Sequence, residues 1–285
     1  MKLLNAFRIN RAKDMRTVSA VLLVLLVTGL LGQSSGEEKA LREAQRLVLV
    51  VASSFDAEAA TAQLFERAPN REWRAASEPE SAVVGERGVA WWPTFAAYAT
   101  EGEPVKDEPD LRSPGGIFPL GPSFGYGDSG GPWQINLEAG QHYCVDDVAS
   151  PLYNQIVAQE EAGEGVNGEQ MWLPNEYRRG LLIGYPTDIR RHPGSCIFVH
   201  VWTNPGRGTR GCIGLPAERV EAIQRFAADV PTAIAIVPRD ALERFEGLPE
   251  VTLPPDDKQL PELEVQHARF SSATEHVGRY PPRAH

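Results

Sequence analysis

Short hydrophobic runs separated by turn-forming residues characterise the first half of the chain. Leu47–Val51 is an apolar run rich in β-branched residues, which predicts a strand. Apolar and polar residues alternate over Gln63–Arg67, with Trp73 following, and again over Ala82–Gly85. A period of two is typical of strands with one buried face. The pattern therefore predicts successive antiparallel strands.

The second half continues this pattern and adds one helix. Leu181–Tyr185 and Thr232–Val237 are further predicted strands. Between them, Pro216 precedes a segment, Ala217–Asp229, in which apolar residues recur at helical spacing. The 26 glycines and 23 prolines among 285 residues suit many short strands and tight turns better than a helical bundle. We predict a mainly β domain, a sandwich or barrel-like fold with one or two short helices, over residues 47–249.

The two ends have a different composition from this domain. Residues 1–36 combine basic residues, the uncharged run Thr17–Leu31 and small residues, which indicates an export signal; retention as an N-terminal anchor is the alternative. Residues 37–46 form a charged linker or a short lead-in helix. Residues 250–285 are rich in proline and charge and predict a flexible tail. We expect a protein of the periplasm or cell envelope whose N-terminal segment engages the membrane during export or as an anchor.

The charge balance excludes some partners. The chain carries a formal charge of −10, and removal of residues 1–32, with their five basic and one acidic side chains, changes it to −14. A body of this charge repels nucleic acid and anionic membrane surfaces, so we predict no nucleic-acid partner.

A histidine and a cysteine carry the candidate chemistry. His200 ends an apolar run, and Cys212 follows Gly211 in a loop broken by glycine and proline. A thiol is a nucleophile as its thiolate, which a nearby histidine can generate, and a glycine before it allows a sharp turn. A papain-like protease would instead have its cysteine before its histidine in the chain.

Three segments resemble the L,D-transpeptidase catalytic domain of bacterial cell-wall enzymes: Ser113–Tyr126, Cys144–Val157 and Gly194–Pro216. The resemblance runs from about Leu47 to Pro238. Its most specific part is the strand histidine followed by a Thr-x-Gly-Cys sequence at 209–212. Arg210 stands where the family commonly has histidine or asparagine, and Gly214 stands where it usually has arginine.

The resemblance implies a function. Cys212 would attack a peptidoglycan tetrapeptide stem with His200 as general base. A thioester would form as D-alanine is released, and the acyl group would then pass to an amine acceptor. The alternatives are an L,D-carboxypeptidase or amidase that uses water, an enzyme that uses a protein lysine as acceptor, and a catalytically silent peptidoglycan-binding domain. No cofactor or metal is expected, the partners are peptidoglycan stem peptides, and we expect a monomer.

Further residues near the predicted pair are assigned supporting roles. Backbone N–H groups of Gly211 and Cys212 are the candidate oxyanion donors. Four residues are candidate substrate contacts: Thr209, Arg210, Arg207 and Trp202. A structural role in the loop is favoured for Thr209. The alternative for Arg210 is an exposed, solvated side chain, and the alternative for Trp202 is a position in the core.

With Cys212 as nucleophile, two cysteines are left in an exported chain. An oxidising compartment favours a disulfide between Cys144 and Cys196, and the alternative is two buried thiols that pack as small apolar groups.

Overall fold

The computed structural model describes residues 36–126, 134–163, 165–187 and 193–251. The predicted export segment 1–36 lies outside these residues except for Gly36, and the predicted tail 250–285 lies outside them beyond Val251.

Fourteen strands and three α-helical segments make up the described part of the chain. The helices are α1 (Gly36–Glu43), α2 (Gln159–Ala162) and α3 (Ala217–Ala227). The strands are β1 (Arg46–Ala52), β2 (Ala59–Arg67), β3 (Trp73–Ala75), β4 (Glu80–Val83), β5 (Val89–Trp91), β6 (Ser113–Gly125), β7 (Ile135–Asn136), β8 (His142–Val145), β9 (Ile156–Ala158), β10 (Gly168–Gln170), β11 (Arg179–Ile183), β12 (Phe198–Val201), β13 (Ile213–Leu215) and β14 (Thr232–Pro238). Turns of 3-10 helix span Pro93–Tyr98, Asn175–Arg178 and Arg239–Arg244.

Eight strands close into a barrel. Their order is β1, β14, β6, β11, β12, β13, β4 and β2, and β2 pairs back onto β1. β3 extends the sheet from β2, while β5 and β7 pair with β6. The prediction of a mainly β, barrel-like domain is confirmed; the described residues contain three α-helical segments where one or two were predicted.

β1 and β14 form the centre of the core. They run parallel, from the pair Arg46 and Thr232 to the pair Ala52 and Pro238. Every residue of β14 is buried, and so is every residue of β1 after Arg46. Because both faces of these strands are covered, their sequences are continuous apolar runs rather than alternating ones.

β6 contains the whole Ser113–Tyr126 segment except Tyr126 and links several parts of the barrel. It pairs with β14 on one side and β11 on the other. Gly116 has φ of +146°, and a Cβ there would lie 2.3 Å from the Phe95 ring. A side chain at this position would therefore displace a buried aromatic ring.

α3 packs against the barrel wall at β11 and β12. Val220 and Ile223 are buried on its inner face. The side-chain amide of Gln224 donates hydrogen bonds to the carbonyls of Phe124, at 2.8 Å, and Gly180, at 3.0 Å. This buried amide therefore binds β6 and β11 at once.

A second, three-stranded sheet in the order β10, β8, β9 lies beside the barrel. A disulfide of 2.05 Å joins Cys144 in β8 to Cys196, two residues before β12. Of the two alternatives for these cysteines, a disulfide or two buried thiols, the structure has the disulfide. The bond ties the small sheet to the barrel. Among the described residues, no helix combines the length and hydropathy needed to cross a bilayer.

We predict that the double variant Cys144→Ala/Cys196→Ala is less stable than the wild type. The bond joins residues 52 positions apart, and loss of such a cross-link costs about 2–5 kcal/mol in the free energy of unfolding. Urea unfolding followed by tryptophan fluorescence measures the change. Cys212→Ala, which removes a thiol but leaves the disulfide, is the control. An unchanged unfolding midpoint in the double variant would contradict the prediction.

Candidate active site

A cleft of about 1050 Å³ opens where β12 and β13 approach the small sheet. Six of the residues singled out from the sequence line it: His200, Trp202, Arg207, Thr209, Arg210 and Cys212. Cys196 also lines the cleft, whereas Gly211 is buried and does not line it. The structure therefore brings the predicted thiol and imidazole to one cavity.

Strand register places His200 and Cys212 on the same face of the barrel wall. β12 and β13 run parallel, with Val199 opposite Ile213 and His200 opposite Gly214. Cys212 immediately precedes Ile213 and is two residues from Gly214, so Cys212 and Gly214 share one face of the sheet. Since side chains alternate between faces, Cys212 and His200 project from the same side.

Backbone groups hold the thiol in place. The N–H of Phe198 donates to Cys212 Sγ at 3.3 Å, and the thiol lies 3.6 Å from the carbonyl oxygen of Cys196. The thiol is free and buried. Burial raises the pKa of Cys212 to about 12; the Phe198 hydrogen bond opposes the increase, while Glu169 and Glu108 add to it. The thiol is therefore protonated at neutral pH.

His200 is held as a neutral base. Its Nδ1 lies 2.8 Å from the Val201 carbonyl, to which it donates, so Nε2 carries the lone pair. The edge of the Tyr177 ring packs against the imidazole, at 5.5 Å between centroids. Burial lowers the pKa of His200, against the hydrogen bond to Val201 and the charge of Glu176, which both raise it.

Two hydroxyl groups pin the loop that carries the cysteine. Thr209 Oγ1 donates to the Cys212 carbonyl at 2.6 Å and accepts from the Gly211 N–H at 3.1 Å. The buried Ser113 hydroxyl donates to the Gly211 carbonyl at 2.7 Å and accepts from the Gly85 N–H at 2.9 Å. The structural role favoured for Thr209 thus corresponds to specific contacts.

Gly211 differs from its predicted role. Its N–H is bonded to Thr209, so it is not available as an oxyanion donor in this arrangement. Its φ of +137° is a conformation that favours glycine. Of the two predicted oxyanion donors, this leaves the N–H of Cys212.

The candidate substrate contacts lie around the rim of the cleft. Arg207 and Arg210 are exposed, and Trp202 is half-buried. The charge of Arg210 acts on Glu169, whose pKa it lowers, in opposition to burial. Among the described residues, no group of three or more histidine, cysteine, aspartate or glutamate side chains is arranged to hold a metal ion.

Sequence reasoning missed three residues that line the cleft, Glu169, Glu176 and Tyr177, and it did not assign a role to Ser113 itself. Glu176 accepts a hydrogen bond from the Thr203 hydroxyl. Burial raises its pKa, but this hydrogen bond and the charge of Arg178 outweigh burial and lower it overall. Ser113 is the first residue of the Ser113–Tyr126 segment that the sequence analysis singled out. The signal available for its role was a polar residue at the start of a buried strand.

Comparison with known proteins gives little further information. No protein-family model matches the chain. No curated protein matches it. Among solved structures, it is similar to the helical cell shape determining protein Pgp2 from Campylobacter jejuni, at 14% identity and a TM-score of 0.33 over 70% of this chain and 54% of that one. The K307A mutant of Pgp2 matches at 15% identity and a TM-score of 0.33, over 68% of this chain and 47% of that one. The chain thus spans about half the length of these structures, and a likeness this weak carries no argument about function.

We predict that native Cys212 reacts slowly with iodoacetamide at pH 8. With a pKa of about 12, a fraction of roughly 10⁻⁴ is thiolate at that pH, against about a quarter for an ordinary cysteine. The rate of alkylation, measured by intact mass, should rise about tenfold for each pH unit. Urea-unfolded, unreduced protein is the control for the ordinary rate. A plateau below pH 9 would show that the thiol is ionised there.

We predict that Ser113→Ala destabilises the protein. The change leaves the buried Gly85 N–H and Gly211 carbonyl without this partner, at a cost of about 1–3 kcal/mol. The free energy of unfolding in urea is the measurement. Ser81→Ala, on the exposed side of β4, is the matched control and should change stability by less than about 0.5 kcal/mol. Equal losses in the two variants would argue against the proposed contact.

Proposed function

We propose that the protein is an exported cysteine acyltransferase, an L,D-transpeptidase that acts on peptidoglycan tetrapeptide stems in the periplasm or cell envelope. One observation carries this proposal: a free thiol, Cys212, and a neutral imidazole, His200, line the same cleft. The resemblance of the 194–216 segment to L,D-transpeptidases supports the choice of substrate.

The first half of the reaction forms a thioester. Cys212 Sγ attacks the carbonyl of the third stem residue, a diamino acid, while the thiol proton moves to Nε2 of His200. The N–H of Cys212 stabilises the resulting oxyanion. As the carbon–nitrogen bond breaks, His200 returns the proton to the leaving nitrogen, and D-alanine departs.

The protonation states support general-base catalysis rather than a preformed ion pair. Burial raises the pKa of Cys212 and lowers that of His200, so both groups are neutral at rest. Proton transfer must therefore accompany the attack. A buried neutral pair avoids the cost of holding two charges away from water.

The rim arginines have a role in binding. Peptidoglycan stems carry carboxylates, whereas the protein as a whole is acidic. Arg207 and Arg210, exposed at the mouth of the cleft, are suited to bind a stem carboxylate through paired hydrogen bonds.

In the second half, an amine resolves the thioester. An amine on the third residue of a neighbouring stem attacks the thioester carbonyl, the carbon–sulfur bond breaks, and a cross-link between the two third residues forms. Water in place of the amine would give an L,D-carboxypeptidase, and a protein lysine would give an anchoring enzyme. The reaction requires no cofactor.

We predict that incubation with meropenem gives a covalent adduct on Cys212, detected by intact-protein mass spectrometry. Cys212→Ala should give none, and His200→Ala should form it about 10²–10⁴ times more slowly, since general-base catalysis contributes about that factor. His142→Ala, in β8 and away from the cleft, is the matched control. Absence of an adduct in folded wild-type protein favours the silent binding domain.

A second measurement selects the acceptor. Purified disaccharide-tetrapeptide is incubated with the protein, and the products are analysed by mass spectrometry. We expect dimers and free D-alanine. Tripeptide without dimer would indicate water as the acceptor.

A further inference from the structure

Glu169 reaches the cleft from the small sheet. It lies in β10 directly opposite Cys144 of β8, and side chains at paired positions share one face of a sheet. Cys144 is bonded to Cys196, which lines the cleft. The disulfide therefore turns this face of the small sheet toward the thiol, and Glu169 is among the residues that line the cavity.

Glu169 and Tyr177 line the same cleft as His200 and Cys212. Tyr177 lowers the pKa of Glu169, and the Tyr177 ring packs edge-on against His200. Five groups face Glu169 or sense its charge: Arg210, Asp146, Glu176, Tyr177 and Cys212. Burial raises the pKa of Glu169, Asp146 and Glu176 raise it further, and Tyr177 and Arg210 oppose this increase.

A carboxylate at this position hinders the first half-reaction. Its negative charge raises the pKa of the Cys212 thiol that has to attack. A catalytic benefit of the Glu169 carboxylate therefore has to come in the second half-reaction. The second half-reaction brings in an amine, which is a cation at neutral pH.

A base beside the acceptor can take up one of the protons released in that step. An ammonium group loses two protons when it becomes an amide nitrogen. One passes by way of His200 to the sulfur as the carbon–sulfur bond breaks and the thiol reforms. The other has to leave before the nitrogen can attack, and His200 cannot hold both.

We infer that Glu169 binds the ammonium group of the acceptor and accepts the first of its two protons. The acceptor class is a primary alkyl ammonium. The amine so formed attacks the thioester carbonyl, His200 takes the second proton and delivers it to the leaving sulfur, and Glu169 releases its proton to solvent. This assignment rests on the proposed function, and it makes Glu169 a residue that selects amine over water.

Glu169→Gln separates this role from the first half-reaction. We expect acyl-enzyme to form at least as fast as in the wild type, because a negative charge beside the thiol is removed. The ratio of cross-linked to hydrolysed product should fall at least tenfold, with a higher KM for the amine acceptor. Glu169→Asp should recover part of the ratio. Glu160→Gln, the same change on the exposed surface of α2, is the control and should leave the ratio unchanged.

A neutral acceptor distinguishes charge recognition from a structural role. Hydroxylamine is neutral at pH 7.5 and does not need Glu169 as its base. The variant should therefore resolve the acyl-enzyme with hydroxylamine at the wild-type rate while it loses reactivity toward an alkyl ammonium. Equal losses for both acceptors, or an unchanged product ratio, would overturn the inference.

Tyr177→Phe provides a second variant that keeps the ring packed against His200. It removes the hydroxyl group that lowers the pKa of Glu169 and should lower the product ratio by a smaller factor, whereas an unchanged ratio would count against a contribution of Tyr177. A wild-type protein that forms no acyl-enzyme would overturn the proposed function itself. Normal acyl-enzyme formation with an unaltered ratio in Glu169→Gln would overturn only the role of Glu169.

Discussion

The parallel pairing of β12 with β13 is the constraint on which the candidate site depends. His200 lies within β12 and Cys212 immediately precedes β13, so their relative position is set by the register of these two strands. Consecutive parallel strands require a crossover connection, and here it consists of the eleven residues between Val201 and Ile213. Such a short connection has to be anchored along its length.

The anchors come from distant parts of the barrel. Glu58 accepts a hydrogen bond from the Gly208 N–H at 2.8 Å, and Ser113 holds the Gly211 carbonyl. Thr209 closes the turn within the loop itself. The position of the sulfur is therefore determined by residues at the starts of β2 and β6 as much as by its own neighbours, and the Thr209 contact gives the Gly211 N–H a structural role.

Burial gives the site its electrostatic character. A thiol and an imidazole with little access to water both favour their neutral forms, because a charge in the protein interior is poorly solvated. The carboxylates at the cleft strengthen this for the thiol. The disulfide adds to the arrangement by holding the small sheet, and with it Glu169, against the barrel.

Local sequence determined the mainly β fold and the thiol–imidazole pair. Strand runs such as Leu47–Val51 are visible without tertiary contacts because burial on the barrel wall imposes apolar residues directly. His200 and Cys212 lie close in the chain, within one recognisable segment. β5, by contrast, is three residues long and was not predicted, since so short a run has no period to detect.

Only the tertiary structure decided which other groups meet this pair. Glu169 and Ser113 lie 43 and 99 positions before Cys212 in the chain, and Tyr177 stands in a short 3-10 turn. Barrel closure and the Cys144–Cys196 bond bring them together, and the sequence left that bond as one of two alternatives. The role of the Gly211 N–H was also decided by folding, because a backbone hydrogen bond depends on loop conformation and not on residue type. Contacts between distant segments have no signature in a local pattern, so they had to be found in the folded chain.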